Sequence, residues 1–252
     1  MNIVLIGASG RIGSRLALYL LDSGYNLALG DINIDPIKSI IESSTKYSSS
    51  TVFIKDVDMC SEKSYEQWII EANSCLGEIS GAINCSYPRG SNYGNKLKDV
   101  TLENFNNNVS MHLGSYFNFL KVSSAFMEKN NLKGPIICTS SIYGHMAPNF
   151  NIYNETNMTM PVEYAAVKSS INHLIRYFAA SYAGTDLRFN AISPGGILDN
   201  QPESFINAYK DNSLNKGLLD SKDVLPLFEF MLSNKSKYIN GQIITIDDGF
   251  SL

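Results

Sequence analysis

Cysteine, histidine and long apolar runs are all scarce in this chain, and each scarcity removes a class of protein. The four cysteines, Cys60, Cys75, Cys85 and Cys138, lack the spacing of a metal site. They read as reduced thiols, mostly buried, with Cys85 and Cys138 in apolar runs. The three histidines, His112, His145 and His173, form no pair four apart on one helix, so no metal site is expected. Charge of one sign is not concentrated: 20 Lys and Arg stand against 24 Asp and Glu, without a basic block. That balance argues against nucleic-acid binding by bulk electrostatics. No apolar run approaches the roughly 18 residues of a membrane span, and the start lacks a basic region ahead of an apolar one. Neither secretion nor membrane insertion is expected, and the cytoplasm is the default compartment. Nothing in the composition marks a second domain, and 252 residues are enough to bury one large core. A small molecule is the partner that remains.

What is present is alternation. Short apolar runs at Asn2–Ile6, Leu27–Leu29, Val52–Ile54, Ala82–Asn84, Ile136–Cys138, Leu187–Ile192 and Ile243–Ile246 are separated by helical patterns. This predicts an α/β fold, a doubly wound parallel sheet of seven strands in a single domain spanning 1–252. Ile12, Leu16 and Leu20 repeat at helical spacing and Ser23-Gly24 supplies a stop. Long helices are expected over Leu102–Lys129 and Val162–Tyr182, with a later one over Ser221–Leu232. The polar stretch from Asn200 to Gly217 reads as a lid or substrate loop.

The chain opens as strand, glycine turn, helix, with Gly7, Ser9, Gly10, Arg11, Ile12 and Gly13 in the turn. A helix N-terminus offers unpaired N–H groups and about half a positive charge, so glycines there let a pyrophosphate approach the backbone. The plain alternative is a turn that only joins strand to helix. Asp31 lies 24 residues after Gly7, at the end of the second strand, where a carboxylate accepts from both ribose hydroxyls of an adenosine. It repels a 2′-phosphate, which favours NAD over NADP without excluding NADP. Arg11 pulls the other way if its guanidinium meets that phosphate; otherwise it caps the pyrophosphate or faces solvent.

Tyr164 is the one tyrosine with a lysine, Lys168, four residues later, which puts both on one helix face. A phenol of pKa about 10 is a poor base at neutral pH, but a close ammonium and a positive nicotinamide ring favour phenolate. Lowering it by about three units takes roughly 4 kcal/mol. Alone, such a pair is a surface helix contact. Here Thr139-Ser140-Ser141 follows the fifth strand, at the carboxyl end of a parallel sheet where ligands sit. A hydroxyl there can hold a substrate oxygen while Tyr164 moves the proton and the nicotinamide moves the hydride.

Taken in order, Gly7 to Gly13, Asp31, Asp56-Val57, Asn84, Ser141, Tyr164/Lys168, Asn190 to Gly195 and Asp247-Asp248-Gly249 resemble the short-chain dehydrogenase/reductase family over nearly the whole chain. The resemblance implies a Rossmann-type fold and a nicotinamide cofactor, with Asp56 and Val57 at the adenine. It places Asn84, Cys85 and Ser86 beside the cofactor ribose and Pro194, Gly195 and Ile197 around the nicotinamide. It makes Ser141 the catalytic serine and Ser140 a support for the strand end. It further implies a homotetramer or homodimer built through the two long helices, with Phe117, Phe126, Ala165, Ala179 and Ala180 available to the contact or to a core.

The sequence departs from the family's shorter members. The glycines run Gly-x-x-Gly-x-x-Gly, a spacing typical of the sugar-nucleotide branch, and the 23 positions from Ser141 to Tyr164 are an unusually long interval. Tyr143, like Asn200 in the polar stretch, is a candidate substrate contact. Tyr87 stands where a glycine would leave room, and either stacks on a sugar ring or fills space. Arg89 either pairs with a phosphate or carboxylate on the substrate or is solvated. Alignment on Glu103-Asn104-Phe105 and Leu113 puts His112 where an asparagine supports a water-mediated proton path. Imidazole can donate, accept and titrate near neutrality, so His112 is either a relay or a helix histidine bonded to backbone or water. The run from Met158 to Lys168, with the insertion before it, resembles bacterial flagellin-modification and surface-glycan dehydrogenases of nonulosonic-acid pathways.

The expectation is a nicotinamide-dependent oxidoreductase interconverting a secondary alcohol and a ketone on a sugar phosphate, nucleotide sugar or sialic-acid-like sugar. The alternatives are a sugar epimerase or dehydratase that retains its NAD, a reductase of an acyl or steroid ketone, and an NAD-binding regulator that lost catalysis.

Overall fold

The structure, a computed structural model, describes residues 1–44, 46–47 and 51–252. Seven strands, β1 (Asn2–Ile6), β2 (Asn26–Asp31), β3 (Val52–Asp56), β4 (Ile79–Asn84), β5 (Gly134–Thr139), β6 (Leu187–Pro194) and β7 (Ile243–Ile246), form one sheet in the order β3-β2-β1-β4-β5-β6-β7. Every neighbouring pair is parallel. The inner strands are continuous apolar runs because both faces of the sheet are covered.

Seven α-helices connect the strands: α1 (Arg11–Asp22), α2 (Asp35–Glu42), α3 (Glu62–Leu76), α4 (Leu102–Lys129), α5 (Val162–Ser181), α6 (Glu203–Asp211) and α7 (Leu225–Leu232). Helices α1, α2 and α7 cover one face, with Leu16, Leu20, Ile37 and Phe228 packed on Ile3, Leu5 and Leu29. Helices α3, α4 and α5 cover the other, with Trp68, Phe119 and Ile171 packed on Val4, Ala82 and Ile136. The stop after α1 is a glycine cap: Gly24 has φ +84°, its N–H donates to the Leu21 carbonyl at 3.0 Å, and that of Tyr25 donates to Leu20 at 3.0 Å. Among the described residues no helix is long and apolar enough to cross a membrane.

Three local expectations need correction. Cys60 and Cys75 are exposed and Cys85 is half-buried, so only Cys138 is a buried thiol. The inward stripe of α3 is Tyr65, Trp68, Ile69 and Ala72, with Leu76 packed against the same cluster, which leaves Cys75 outside. The segment expected as a loop from Asn200 to Gly217 contains α6. Phe205 and Tyr209, one turn apart, anchor it on Tyr153 and Phe250, the Tyr209 and Phe250 rings stacking at 4.0 Å. Two aromatic anchors among polar residues are too sparse a stripe to read as a helix in the sequence. The later helix is interrupted: Ser221–Val224 is a single 3-10 turn capped by Asp220, and α7 starts after it with Pro226 in its first turn.

Candidate active site

The strand order reverses between β1 and β4, and the segments that follow the carboxyl ends of β1, β4, β5 and β6 meet there. Gly7 has φ +77°, and a Cβ on it would lie 2.5 Å from the Ser86 nitrogen. A Cβ on Gly13 would lie 2.0 Å from the Gly7 carbonyl oxygen. Both glycines are therefore dictated by close backbone approach, which draws the start of α1 against the turn. Gly10 caps α1 without a side chain over the first-turn N–H groups. Three buried polar atoms on the two meeting segments have no partner: Ser9 Oγ, Asn84 Nδ2 and Ser86 Oγ. A glycine cradle at a helix N-terminus, rimmed by unpaired polar groups, fits a dinucleotide pyrophosphate and ribose.

Asp31 is held at this turn, its Oδ2 accepting the Ser9 N–H at 2.9 Å. Arg11 is exposed and pairs with Asp199 on the loop after β6. The Asp56 carboxylate accepts the Ile34 N–H at 3.0 Å, and buried Val57 packs its side chain beneath Gly30. Ile12 and Ile197 are half-buried on the α1 side of the sheet. Cys85 accepts the Thr139 hydroxyl at 3.2 Å, and burial pushes its thiol up to about 12. Pro194 ends β6, and a Cβ on Gly195 would lie 2.8 Å from the Asp247 Cβ.

Lys168 is buried on α5 and donates to the Thr139 carbonyl at 2.9 Å, with its ammonium 5.5 Å from the Tyr164 ring centre. Burial lowers it to about 7. Desolvation pushes the Tyr164 phenol above its ordinary value, a hydrogen bond with Ser141 opposing the rise. Ser141 is buried at the end of β5 and its hydroxyl accepts the Tyr143 N–H at 3.3 Å. The Ser140 hydroxyl is committed to Asn172 at 2.6 Å and ties β5 to α5. Of the two serines, Ser141 is thus the one beside the phenol.

An aromatic wall faces this group. The Tyr87 ring lies edge-on at 5.5 Å from Tyr164 and 5.0 Å from His112, its hydroxyl bonded to that of Tyr93. Arg89 lies over Tyr87 at 5.4 Å, and buried Tyr143 pairs its hydroxyl with Tyr153 at 3.3 Å. Asn200 is exposed. His112 is buried beside Tyr116 with its Nε2 unpartnered. Burial, then the Lys168 charge, lowers it to about 2, which corrects the expectation of titration near neutrality: the imidazole stays neutral.

Sequence reasoning passed over Glu163, which is 1% exposed with both carboxylate oxygens unpartnered. It also passed over Asp199, the partner of Arg11. The signal for Glu163 was a carboxylate at the head of an apolar helical stripe.

A family model described as enoyl-(acyl carrier protein) reductase matches residues 7–251. The chain belongs to the short-chain dehydrogenase/reductase family. Post-translational flagellin modification protein A of Campylobacter coli is 33% identical, the match covering 99% of this chain and 98% of that protein. The 7alpha-hydroxysteroid dehydrogenase of Escherichia coli is 26% identical over 98% of this chain and 92% of its own. Among solved structures, a short chain dehydrogenase of Leptospira borgpetersenii with bound NAD+ superposes with a TM-score of 0.85 at 27% identity, covering 100% of this chain and 92% of that one. This short-chain dehydrogenase/reductase is an NAD(P)-dependent oxidoreductase.

Proposed function

We propose that the enzyme interconverts a secondary alcohol and a ketone on a sugar-like substrate, with NAD preferred. The observation that carries the reading is the convergence of Tyr164, Lys168 and Ser141 at the carboxyl end of β5, beside the glycine cradle. When bound, the nicotinamide accepts or supplies the hydride. Tyr164 takes the alcohol proton or returns it to the ketone oxygen, Ser141 orients that oxygen, and Lys168 favours the phenolate when charged. His112, neutral, serves as a hydrogen-bonding relay rather than a titrating one.

Gly7, Ser9, Gly10, Ile12 and Gly13 would hold the pyrophosphate, Asn84 and Ser86 the ribose side, and Pro194, Gly195 and Ile197 the nicotinamide end. NAD is favoured because the Asp31 carboxylate stands at the turn, while the Arg11 charge is balanced by Asp199. A sugar-like substrate is supported by the flagellin-modification relative and by the Tyr87, Tyr93 and Tyr143 wall, whose rings suit the apolar face of a sugar and whose hydroxyls suit its edge. The 200–217 segment, α6 included, closes the substrate side. Two copies associate through α4 and α5, where Phe117 is 47% exposed on the outer face.

The test is absorbance of reduced nicotinamide while purified enzyme is incubated with NAD or NADP and sugar phosphates, nucleotide sugars and CMP-linked nonulosonates, beside a Tyr164→Phe control. NADH growth with one sugar class, absent in the control, is the expected result. Silence across the panel with cofactor still bound would overturn the sugar reading.

A further inference from the structure

The segment after β4 meets the Tyr164 phenol through one ring. Tyr87 is 40% exposed and lies edge-on at 5.5 Å from half-buried Tyr164, so the wall beside the phenol is open to an entering molecule. The guanidinium of Arg89 lies over the same ring at 5.4 Å and is exposed. Its stem is pinned on both sides: the Ser86 carbonyl accepts the Tyr116 hydroxyl at 3.0 Å, and the Gly90 N–H donates to Asn108 Oδ1 at 2.9 Å. Pro88, between Tyr87 and Arg89, fixes one further backbone torsion. Arg89 is therefore presented from a fixed loop, on a ring that faces the phenol. Among the described residues no carboxylate pairs with it. Arg11, by contrast, is paired with Asp199, and Arg188 donates to the carbonyls of Met231 and Ile239 and to the Ser236 hydroxyl. The Lys168 ammonium is a second cation near the Tyr87 ring, at 5.9 Å, and its printed partner is a carbonyl rather than a carboxylate. Glu163, next to Tyr164 in the chain, is buried and forms no ion pair with either. A guanidinium resting on an aromatic face keeps its in-plane N–H groups free for a carboxylate or a phosphate, which its fork matches bidentately.

We propose that Arg89 is a specificity-determining residue that pairs with an anionic substituent, a phosphate or a carboxylate, on the sugar-like substrate. The inference rests on the sugar reading above and narrows its substrates to those carrying a negative charge a few bonds from the carbon that reacts at Tyr164. A charge-assisted, forked pair fixes orientation as well as adding affinity, so it selects the sugar and also sets which carbon meets the phenol. Because the guanidinium is exposed, the pair is screened by salt.

The test uses glucose, glucose 6-phosphate and glucuronate as probes of the full-length enzyme loaded with NADH, so that the glycine cradle is already filled. Saturation-transfer NMR titrations give the dissociation constant of each probe for wild type, Arg89→Gln and Arg89→Lys, at low and at high sodium chloride. The wild type should hold at least one anionic probe about fivefold or more tighter than glucose at low salt, as expected of a charge-assisted pair at an exposed position. Preference for glucose 6-phosphate assigns the substituent as a phosphate, and preference for glucuronate assigns it as a carboxylate. High salt should shrink the preference, and Arg89→Gln should bring it to within about twofold of unity while leaving glucose affinity unchanged. Arg89→Lys, which keeps the charge without the fork, should retain a preference above twofold for glucose 6-phosphate if that is the favoured probe. A wild type that holds glucose as tightly as both anionic probes overturns the proposal. So does a preference that survives in Arg89→Gln, the result expected if the guanidinium only packs on Tyr87 and the anion binds elsewhere. The binding contrast needs no turnover. If it is present and no sugar is oxidised with NAD, Arg89 stands and it is the alcohol–ketone reading that fails.

Discussion

Lys168 donates its ammonium to the carbonyl oxygen of Thr139 at 2.9 Å, so the last residue of β5 holds the lysine that shares a helix face with Tyr164. One hydrogen bond thereby joins the strand end that carries Ser141 to the helix that carries the phenol. The Ser140 bond to Asn172 makes the same connection one turn further along α5. Ser141, Tyr164 and Lys168 are thus brought together by two contacts between the end of β5 and α5.

Replacing Tyr164 by Phe removes the phenol proposed to carry the proton while keeping ring and packing. Turnover should fall by roughly a hundred- to ten-thousand-fold. NADH binding, followed by its fluorescence, should stay within about tenfold of wild type, since one lost neutral hydrogen bond is worth only about 0.5–1.5 kcal/mol.

Lys168 is lowered to about 7 by burial, against an unfolded value of about 10.5. The fold therefore disfavours the charged lysine, and the penalty is full below about 7 and fades as pH rises toward the unfolded value. Lys168→Met should stabilise the cofactor-free protein more at pH near 6 than near 9, measured by urea unfolding. Equal gains at both pH values would contradict a buried, desolvated ammonium.

For His112, lowered to about 2, the unfolded chain binds a proton near pH 6.5 that the fold refuses. Stability associated with this residue is present above that pH and is lost as pH falls through it. His112→Asn should flatten the loss between pH 8 and pH 5 by about 2 kcal/mol. In turnover, His112→Ala should lower kcat far more than cofactor affinity; an unaltered kcat would rule out the relay.

Asp31→Asn keeps an acceptor for the Ser9 N–H but removes the charge. The ratio of kcat/KM for NADP over NAD should rise on the order of tenfold, equivalent to about 1.4 kcal/mol of repulsion removed. No change would mean that the carboxylate does not face the adenosine ribose.

Gly13→Ala puts a methyl 2.0 Å from the Gly7 carbonyl oxygen and must open the cradle. It should cost about 1–3 kcal/mol of stability and most of the cofactor affinity. Gly24→Ala is the comparison: its φ of +84° is strained for alanine but its surroundings are open. It should cost about 1–2 kcal/mol and leave cofactor binding intact.

Much of the architecture is local in origin and was therefore legible. The seven strands, the glycine turn, and α4 with its expected bounds follow from apolar periodicity, helix capping and the conformational demands of glycine. The Tyr164/Lys168 spacing likewise states a shared helix face before any coordinates exist. Where periodicity was thin the sequence misled. Two aromatics one turn apart hide α6, and a proline after a capped turn splits Ser221–Leu232 into two elements.

What the sequence alone determined is the sheet and its opening glycine turn, and it named Asp31 and the Ser141, Tyr164, Lys168 trio as candidates from residue type and spacing. Tertiary structure alone decided what each of those groups faces. It paired Arg11 with Asp199 across 188 positions, stood the Tyr87 ring against Tyr164 and His112, and buried Glu163 without a donor. The physical reason is that desolvation and hydrogen-bond satisfaction are properties of a packed neighbourhood, and the neighbours come from strand ends far apart along the chain.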